Sequence, residues 1–347
     1  MIRSISTYSN EISKTQELEI CEILDSAFNH AIYSHNVKTS FFTGYQSPYP
    51  NVILLQEEDT LLGIAFVAER TIHFLNKSIP TLTIGPLAIH PNHQKKGYSQ
   101  KLFDEIDQLC KQRQIPISYL SGIDDYYHRF DYFKCLSKSK LQFPYQDKNL
   151  NSCVTVKGLS KYYYNEVRSI YAEYSRDFSC SAIRTDDDWK WLFNYATKSW
   201  SFFSPQVIFE DEQVHAYFCS DPENPSRLRE VACRPNLNSA EKLFNGLTTY
   251  MNENGLSSVD IMTPSSSWIY KQAEKRHDAT FIRYIKRNGG QLLKIHNNSR
   301  IQKELFDHFG LHLSDFPKEE LPAILSGHKV NPALNLNPPF IFQGDNY

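Results

Sequence analysis

The run Gln94-Lys95-Lys96-Gly97-Tyr98-Ser99 sets two lysines and a glycine directly before an amphipathic segment. In that segment Leu102, Phe103, Ile106, Leu109 and Cys110 recur at helical spacing. Before the run lies an apolar stretch, Leu82 to Ile89, closed by His90-Pro91, where a proline without an N–H ends a strand. Strand, short glycine loop and helix start in that order leave several backbone N–H groups with no acceptor inside the helix. The positive end of the helix dipole faces the same way, and glycine permits close backbone approach. Such a crook binds a diphosphate. Each charge-assisted hydrogen bond to it contributes about 1.5–3 kcal/mol, and Lys95 and Lys96 add attraction from the rim.

Other chemistries are less well supplied. His90 and His93 stand three apart, but no third ligand lies near them, so they read as loop histidines and no metal site is expected. Ser121-Gly122 lacks the Gly-x-Ser-x-Gly setting of a nucleophile elbow. The seven cysteines are scattered singly, with no Cys-x-x-Cys pair, which fits free thiols in a reducing compartment. Lys and Arg number 37 against 39 Asp and Glu, a formal charge of −2. That balance argues against a nucleic-acid backbone or an anionic membrane surface as the main partner. The start carries no apolar signal run, and no stretch reaches the roughly 18 apolar residues of a membrane span. The expectation is a soluble, cytoplasmic protein.

The elements that must position the loop alternate between the two periodicities. Ser13 and Gln16 form a capping box before a helix carrying Leu18, Cys21, Leu24, Ala27 and Phe28. Strands are expected at Val52–Leu55, Leu61–Val67, Thr71–Leu75, Leu82–Ile89 and Ile115–Leu120, and a short helix at Asp124–Tyr132. Leu136 to Val156 reads as a polar connection. A second run of helices and strands then follows in a similar order, with no residue-level repeat. The fold class is α/β (α+β), two tandem domains, each a mixed twisted sheet flanked by helices. The boundaries fall at 1–150, 151–295 and 296–347. The aromatic loop Phe41–Tyr49 either lines an acceptor pocket or covers the sheet edge.

With the strand end Leu87-Ala88-Ile89-His90-Pro91 before it, the loop resembles the Gln/Arg-x-x-Gly-x-Gly/Ala signature of the GNAT superfamily of acetyl-CoA-dependent N-acetyltransferases. Ser99 departs from that pattern where Gly or Ala is usual, but is still small. The resemblance implies acetyl-CoA held by Gln94, Lys95, Lys96, Gly97, Tyr98 and Ser99. It further implies that the backbone of Leu87, Ala88 and Ile89 pairs with the pantetheine arm and polarises the thioester carbonyl, where a preorganised donor lowers the barrier. The segment Ser121-Gly122-Ile123-Asp124-Asp125-Tyr126-Tyr127-His128-Arg129-Phe130-Asp131-Tyr132, with the tandem layout, resembles the Eis-type (enhanced intracellular survival) acetyltransferases. In that pattern Ser121 and Gly122 lie beside the cofactor. Tyr127, whose register neighbour is Tyr126, protonates the departing thiolate. A phenol of pKa about 10 hands a proton to a thiolate of about 8.5 only with help from geometry and field.

The attacking amine must be neutral. Some members of the superfamily place a Glu on the fourth strand for this, but Thr81 to His90 contains no carboxylate. Eis-type proteins return the chain's terminal carboxylate to the first domain's site. The resemblance therefore assigns the amine proton to Tyr347, at the end of Phe340-Ile341-Phe342-Gln343-Gly344-Asp345-Asn346-Tyr347. In the second half the matching loop is Arg234-Pro235-Asn236-Leu237-Asn238-Ser239-Ala240, with no glycine and no basic pair, so one cofactor site per chain is expected. The expected activity is acetyl transfer to a small-molecule or peptide amine, with a homo-oligomer suggested by the resemblance. The rival readings are a non-catalytic acyl-CoA sensor and an aminoacyl transferase using charged tRNA; the charge of −2 and the CoA loop weigh against the latter.

Overall fold

The structure, a computed structural model, describes residues 2–8, 11–28, 51–74, 77–123, 125–136, 138–146, 153–196, 205–263, 267–276, 280–285, 291–296 and 298–326. The first sheet is built from β1 (Ile2–Tyr8), β2 (Asn51–Glu57), β3 (Thr60–Phe74), β4 (Lys77–Ile89), β5 (Ile117–Ser121) and β6 (Phe133–Leu136). Strand β15 (Gln291–Ile295) inserts between β5 and β6, and the short β9 (Ala182–Ile183) pairs with β3. The second sheet runs β14 (Thr280–Ile285), β7 (Lys138–Pro144), β13 (Ser258–Met262), β12 (Arg227–Cys233), β11 (Gln213–Ser220), β10 (Pro205–Glu210) and β8 (Thr155–Gly158). Among the described residues the pairings are antiparallel except β4–β5 and β12–β13.

The helices are α1 (Lys14–Phe28), α2 (Tyr98–Gln112), α3 (Tyr164–Ser175), α4 (Asp186–Ala196), α5 (Leu237–Glu253), α6 (Trp268–Lys275), α7 (Asn298–Phe309) and α8 (Leu321–Leu325). Helix α2 lays Leu102, Phe103, Ile106, Leu109 and Cys110 onto Ile53, Leu55, Val67, Leu82, Ile84 and Leu120 of the first sheet. Strand side chains alternate between faces, so the other face is left to α1 at one end and to α7 and α8 at the other. There Ile301, Leu305, Leu321, Ile324 and Leu325 cover Ile72, Phe74, Ile79, Ile117 and Leu293. The α1 capping box forms as expected: Ser13 N–H donates to Gln16 Oε1 at 3.0 Å, and Gln16 N–H to Ser13 Oγ at 3.2 Å.

Three expectations need correction. Leu61–Val67 and residues 71–74 of the expected Thr71–Leu75 belong to one long strand, β3, because its polar interruption is paired: Glu69 meets Arg113 and Arg70 meets Asp188 of α4. The polar connection Leu136–Val156 contains β7 and the start of β8. Among the described side chains of β7, Leu141 and Phe143 are the buried ones, so a central strand reads as a linker. Strand β7 lies in the second sheet and β15 returns to the first. A short helix expected over Asp124–Tyr132 is a single 3-10 turn at Tyr127–Phe130.

Candidate active site

Strands β4 and β5 run side by side for only four pairs, Thr81 with Ile117 through Ile84 with Leu120. Beyond Ile84 the register of β4 against β3 shifts, so Gly85 and Pro86 fall between the pairs Val67–Ile84 and Ala65–Leu87. Leu87, Ala88 and Ile89 then pair with β3 alone. A split thus opens between β4 and β5. Its β4 side is held firmly, Ala88 packing toward α1 and Leu87 with Ile89 toward the α2 core.

The loop follows at the mouth of this split. Gln94 Nε2 donates to the Ile89 carbonyl at 3.2 Å, tying the loop to the strand end. His90 Nδ1 accepts the Asn92 N–H at 3.2 Å, the local turn role expected of a loop histidine. Lys95 and Gly97 have φ of +61° and +80°, left-handed values that fold successive N–H groups into a concavity. Gly97 is the N-cap of α2 and supplies no side-chain acceptor; the Gln100 N–H turns back to the Gly97 carbonyl at 3.1 Å, and the Tyr98 and Ser99 N–H groups have no acceptor inside the helix. A Cβ built on Gly97 would meet nothing within 4 Å, so the space before the helix is open. Lys95 and Lys96 are exposed beside it.

On the β5 side, Ser121 ends the strand and Gly122 follows. A Cβ on Gly122 would lie 2.9 Å from the phenol oxygen of Tyr127 and closer still to its ring. Glycine is therefore what lets Tyr127 lie across the backbone at the mouth of the split. The ring is held edge-on by Phe103 (6.0 Å) and Tyr126 (5.0 Å). Burial, and then the neighbouring Tyr126, push the Tyr127 phenol up to about 12, so it keeps its proton across the physiological range. Tyr126 is spoken for differently, its hydroxyl donating to Ser99 Oγ at 3.0 Å. That bond gives the serine at the sixth loop position a use that Gly or Ala would not have. Leu87, Ile89, Tyr98, Tyr126 and Tyr127 all border the α2 core.

The candidate residues from Leu87 to Gly122, with Tyr127, are thus gathered around one end of the β4–β5 split. Tyr347 and the aromatic loop Phe41–Tyr49 lie outside the described residues. Sequence reasoning did not find the partners of Ser99 and Gly122, because loop and turn are joined only through α2. Among the described residues no group of three or more His, Cys, Asp or Glu could hold a metal ion, and no helix is long and apolar enough to cross a membrane.

A family model described as an acetyltransferase (GNAT) domain matches residues 10–135, the stretch that carries the split, the loop and Tyr127. Residues 10–135 match a GNAT acetyltransferase domain, and the chain shares the fold of GNAT structures of Eis-like tandem architecture. The solved structures similar to it share its fold at low identity. Eis1 from Mycobacterium abscessus superposes with a TM-score of 0.68 at 10% identity, over 99% of this chain and 100% of that one. A GCN5-related N-acetyltransferase from Anabaena variabilis gives 0.65 at 14% identity, over 87% and 75%. Saccharomyces cerevisiae N-myristoyltransferase with bound myristoyl-CoA gives 0.51 at 11% identity, over 85% and 78%. No curated protein matches the chain in sequence. The match over residues 10–135 supports acyl transfer as the general chemistry.

Proposed function

We propose that the chain moves an acetyl group from acetyl-CoA to a primary amine by direct attack, at one coenzyme site per chain. The observation that carries this reading is the coincidence of three features: an unpaired β4 edge, an open helix start at Gly97, and a protonated phenol packed on Gly122. The diphosphate lies against Gln94–Ser99, and the thioester lies in the split with its carbonyl toward the Leu87–Ile89 backbone. Charge developing on that oxygen is met by fixed N–H groups. The amine enters, the tetrahedral intermediate collapses, and the C–S bond breaks.

Tyr127 then faces the sulfur. A proton passing from a phenol near 12 to a free thiolate near 8.5 would run uphill by about 4–5 kcal/mol. The reading therefore gives Tyr127 a hydrogen bond to sulfur as its charge grows, with proton transfer completed as the amide forms. A covalent acyl-cysteine route is disfavoured by the thiols nearby: burial pushes Cys110 up to about 12 and Cys135 well above its usual range. For the amine proton β4 offers no carboxylate. The Tyr347 carboxylate is the candidate, and residues appended after it should lower turnover while leaving acetyl-CoA affinity unchanged.

Thiol release from acetyl-CoA with a panel of polyamines, aminoglycosides and lysine peptides tests the reading. Release with at least one amine, reduced about 100-fold or more in Tyr127→Phe, is expected. Tight CoA binding with no release from any amine favours the sensor reading instead.

A further inference from the structure

Beneath the second half of α2 lies a chain of polar side chains that the proposed chemistry does not use. Tyr132 Oη is 2.6 Å from Ser118 Oγ, and Ser118 Oγ is 2.6 Å from His296 Nε2. The other ring nitrogen of His296 faces Asp107 Oδ1 at 3.4 Å, and Lys294 Nζ bonds both oxygens of Asp107 at 2.7 and 2.8 Å. Ser118 and Tyr132 have no exposed surface. The Tyr132–Ser118 and Ser118–His296 contacts are hydrogen bonds, their donors set by the imidazole tautomer, and the Asp107 carboxylate stands within ion-pair distance of Nδ1.

The order serine, histidine, aspartate is that of a nucleophilic relay, but no substrate carbonyl reaches a hydroxyl this deep. What the array does is join three elements. Ser118 belongs to β5, Asp107 to α2, and Lys294 with His296 to β15 and the residue after it, where Lys294 sits opposite Ser118. His296 N–H also donates to the Pro116 carbonyl at 2.8 Å. Tyr132 is the outlet. Its N–H donates to the Tyr127 carbonyl at 3.2 Å, and one ring, Phe103, touches Tyr132, Phe130 and Tyr127.

We infer that Ser118, His296 and Tyr132 are positioning residues for Tyr127, setting the turn that carries it only when β15 from the far end of the chain is seated. The inference rests on the reading in which Tyr127 serves the departing thiolate. It makes docking of the C-terminal part a condition for catalysis in the first sheet, not merely for its stability.

The test uses the full chain with Ser118→Ala, Ser118→Thr, Tyr132→Phe and Tyr127→Phe, reading kcat for thiol release beside the acetyl-CoA dissociation constant. Ser118→Ala and Tyr132→Phe should each lower kcat about tenfold or more, since small misplacements of a reacting group are costly. Acetyl-CoA affinity should stay within about twofold of wild type. Ser118→Thr, which keeps the hydroxyl, should recover most of the rate. In the wild type, nitrogen NMR should find His296 neutral near pH 6. Wild-type kcat in both Ser118→Ala and Tyr132→Phe, with Tyr127→Phe impaired, overturns the inference and leaves the proposed function standing. Wild-type kcat in Tyr127→Phe removes the role of Tyr127 and the inference with it. Equal loss of affinity and rate in Ser118→Ala, without rescue by threonine, marks a purely structural array and also overturns it.

Discussion

The two halves of the molecule build the same junction and finish it differently. In each, a strand ends before an X-Pro pair, a helix begins soon after, and the strand shares a short parallel pairing with its neighbour. In the first half α2 starts from Gly97, with no side-chain cap and open space in front. In the second, α5 starts from Asn236, whose Oδ1 accepts the Ser239 N–H at 2.8 Å. The second helix start is thus closed by a side chain, whereas the corresponding Gln100 N–H of α2 turns back to the Gly97 carbonyl at 3.1 Å. Lys95 and Lys96 stand exposed beside their loop, whereas Arg234 is paired with Glu173 and reaches Ser169 at 3.3 Å. The second split is also plugged. Past the last pair of β12 with β13, Glu230 is buried against Arg184 at 2.9 and 3.0 Å and accepts from Tyr217 at 2.6 Å. A shared layout is left without a side-chain cap or an ion-paired base in one half and is closed by both in the other.

The sharpest way to break this contrast is Gly97→Val. A β-branched residue at φ +80° is strained, and its side chain fills the space before the helix. Loss of two charge-assisted bonds should weaken CoA binding about 100-fold or more by calorimetry; unchanged affinity would mean the loop is not the site. Next in size is Gly122→Ala, whose methyl collides with the Tyr127 ring. It should lower kcat about 100-fold with a much smaller change in CoA affinity, and a normal rate would separate Tyr127 from the chemistry.

The third prediction concerns the strand lent to the first sheet. Burial, and then Lys294, hold His296 down at about 4, against 6.5 in the unfolded chain. The folded state therefore favours the neutral ring. The stability this represents is fully present above about pH 6.5 and is lost as pH falls toward 4, about 3 kcal/mol in all. Denaturant titrations at pH 7 and pH 4 should give a smaller acid loss in His296→Gln than in wild type. Equal losses would mean that His296 does not titrate as a buried neutral ring. The smallest effect belongs to the second junction. Asn236→Ala should cost about 1 kcal/mol of stability, within roughly 0.5–2, and leave CoA affinity untouched. A change in affinity would show that the second loop does touch the coenzyme.

Where the fold followed local rules, the sequence was a good guide. The five residues expected on the buried face of α2 are those that are buried, and the capping box of α1 is reciprocal. The loop and the end of β4 were legible for the same reason, since a proline, a glycine and a helix start lie within a dozen residues. The strand exchange was not. Polar β7 is a strand because β13 and β14 lie on either side of it, and β15 finds its partners more than 150 residues away in sequence. Gly122 was expected beside the cofactor, and a Cβ built on it would run into the ring of Tyr127, a contact that no spacing rule encodes. The Ser118–His296 pair joins positions 178 apart and leaves no trace in either local pattern.

The most direct test is the stoichiometry of coenzyme A on the full-length chain, measured by isothermal titration. One site per chain is the result expected from an open Gly97 junction beside a self-capped Asn236 junction. Two equivalent sites would refute the contrast between the halves, and no uptake at all would refute the assignment of the loop.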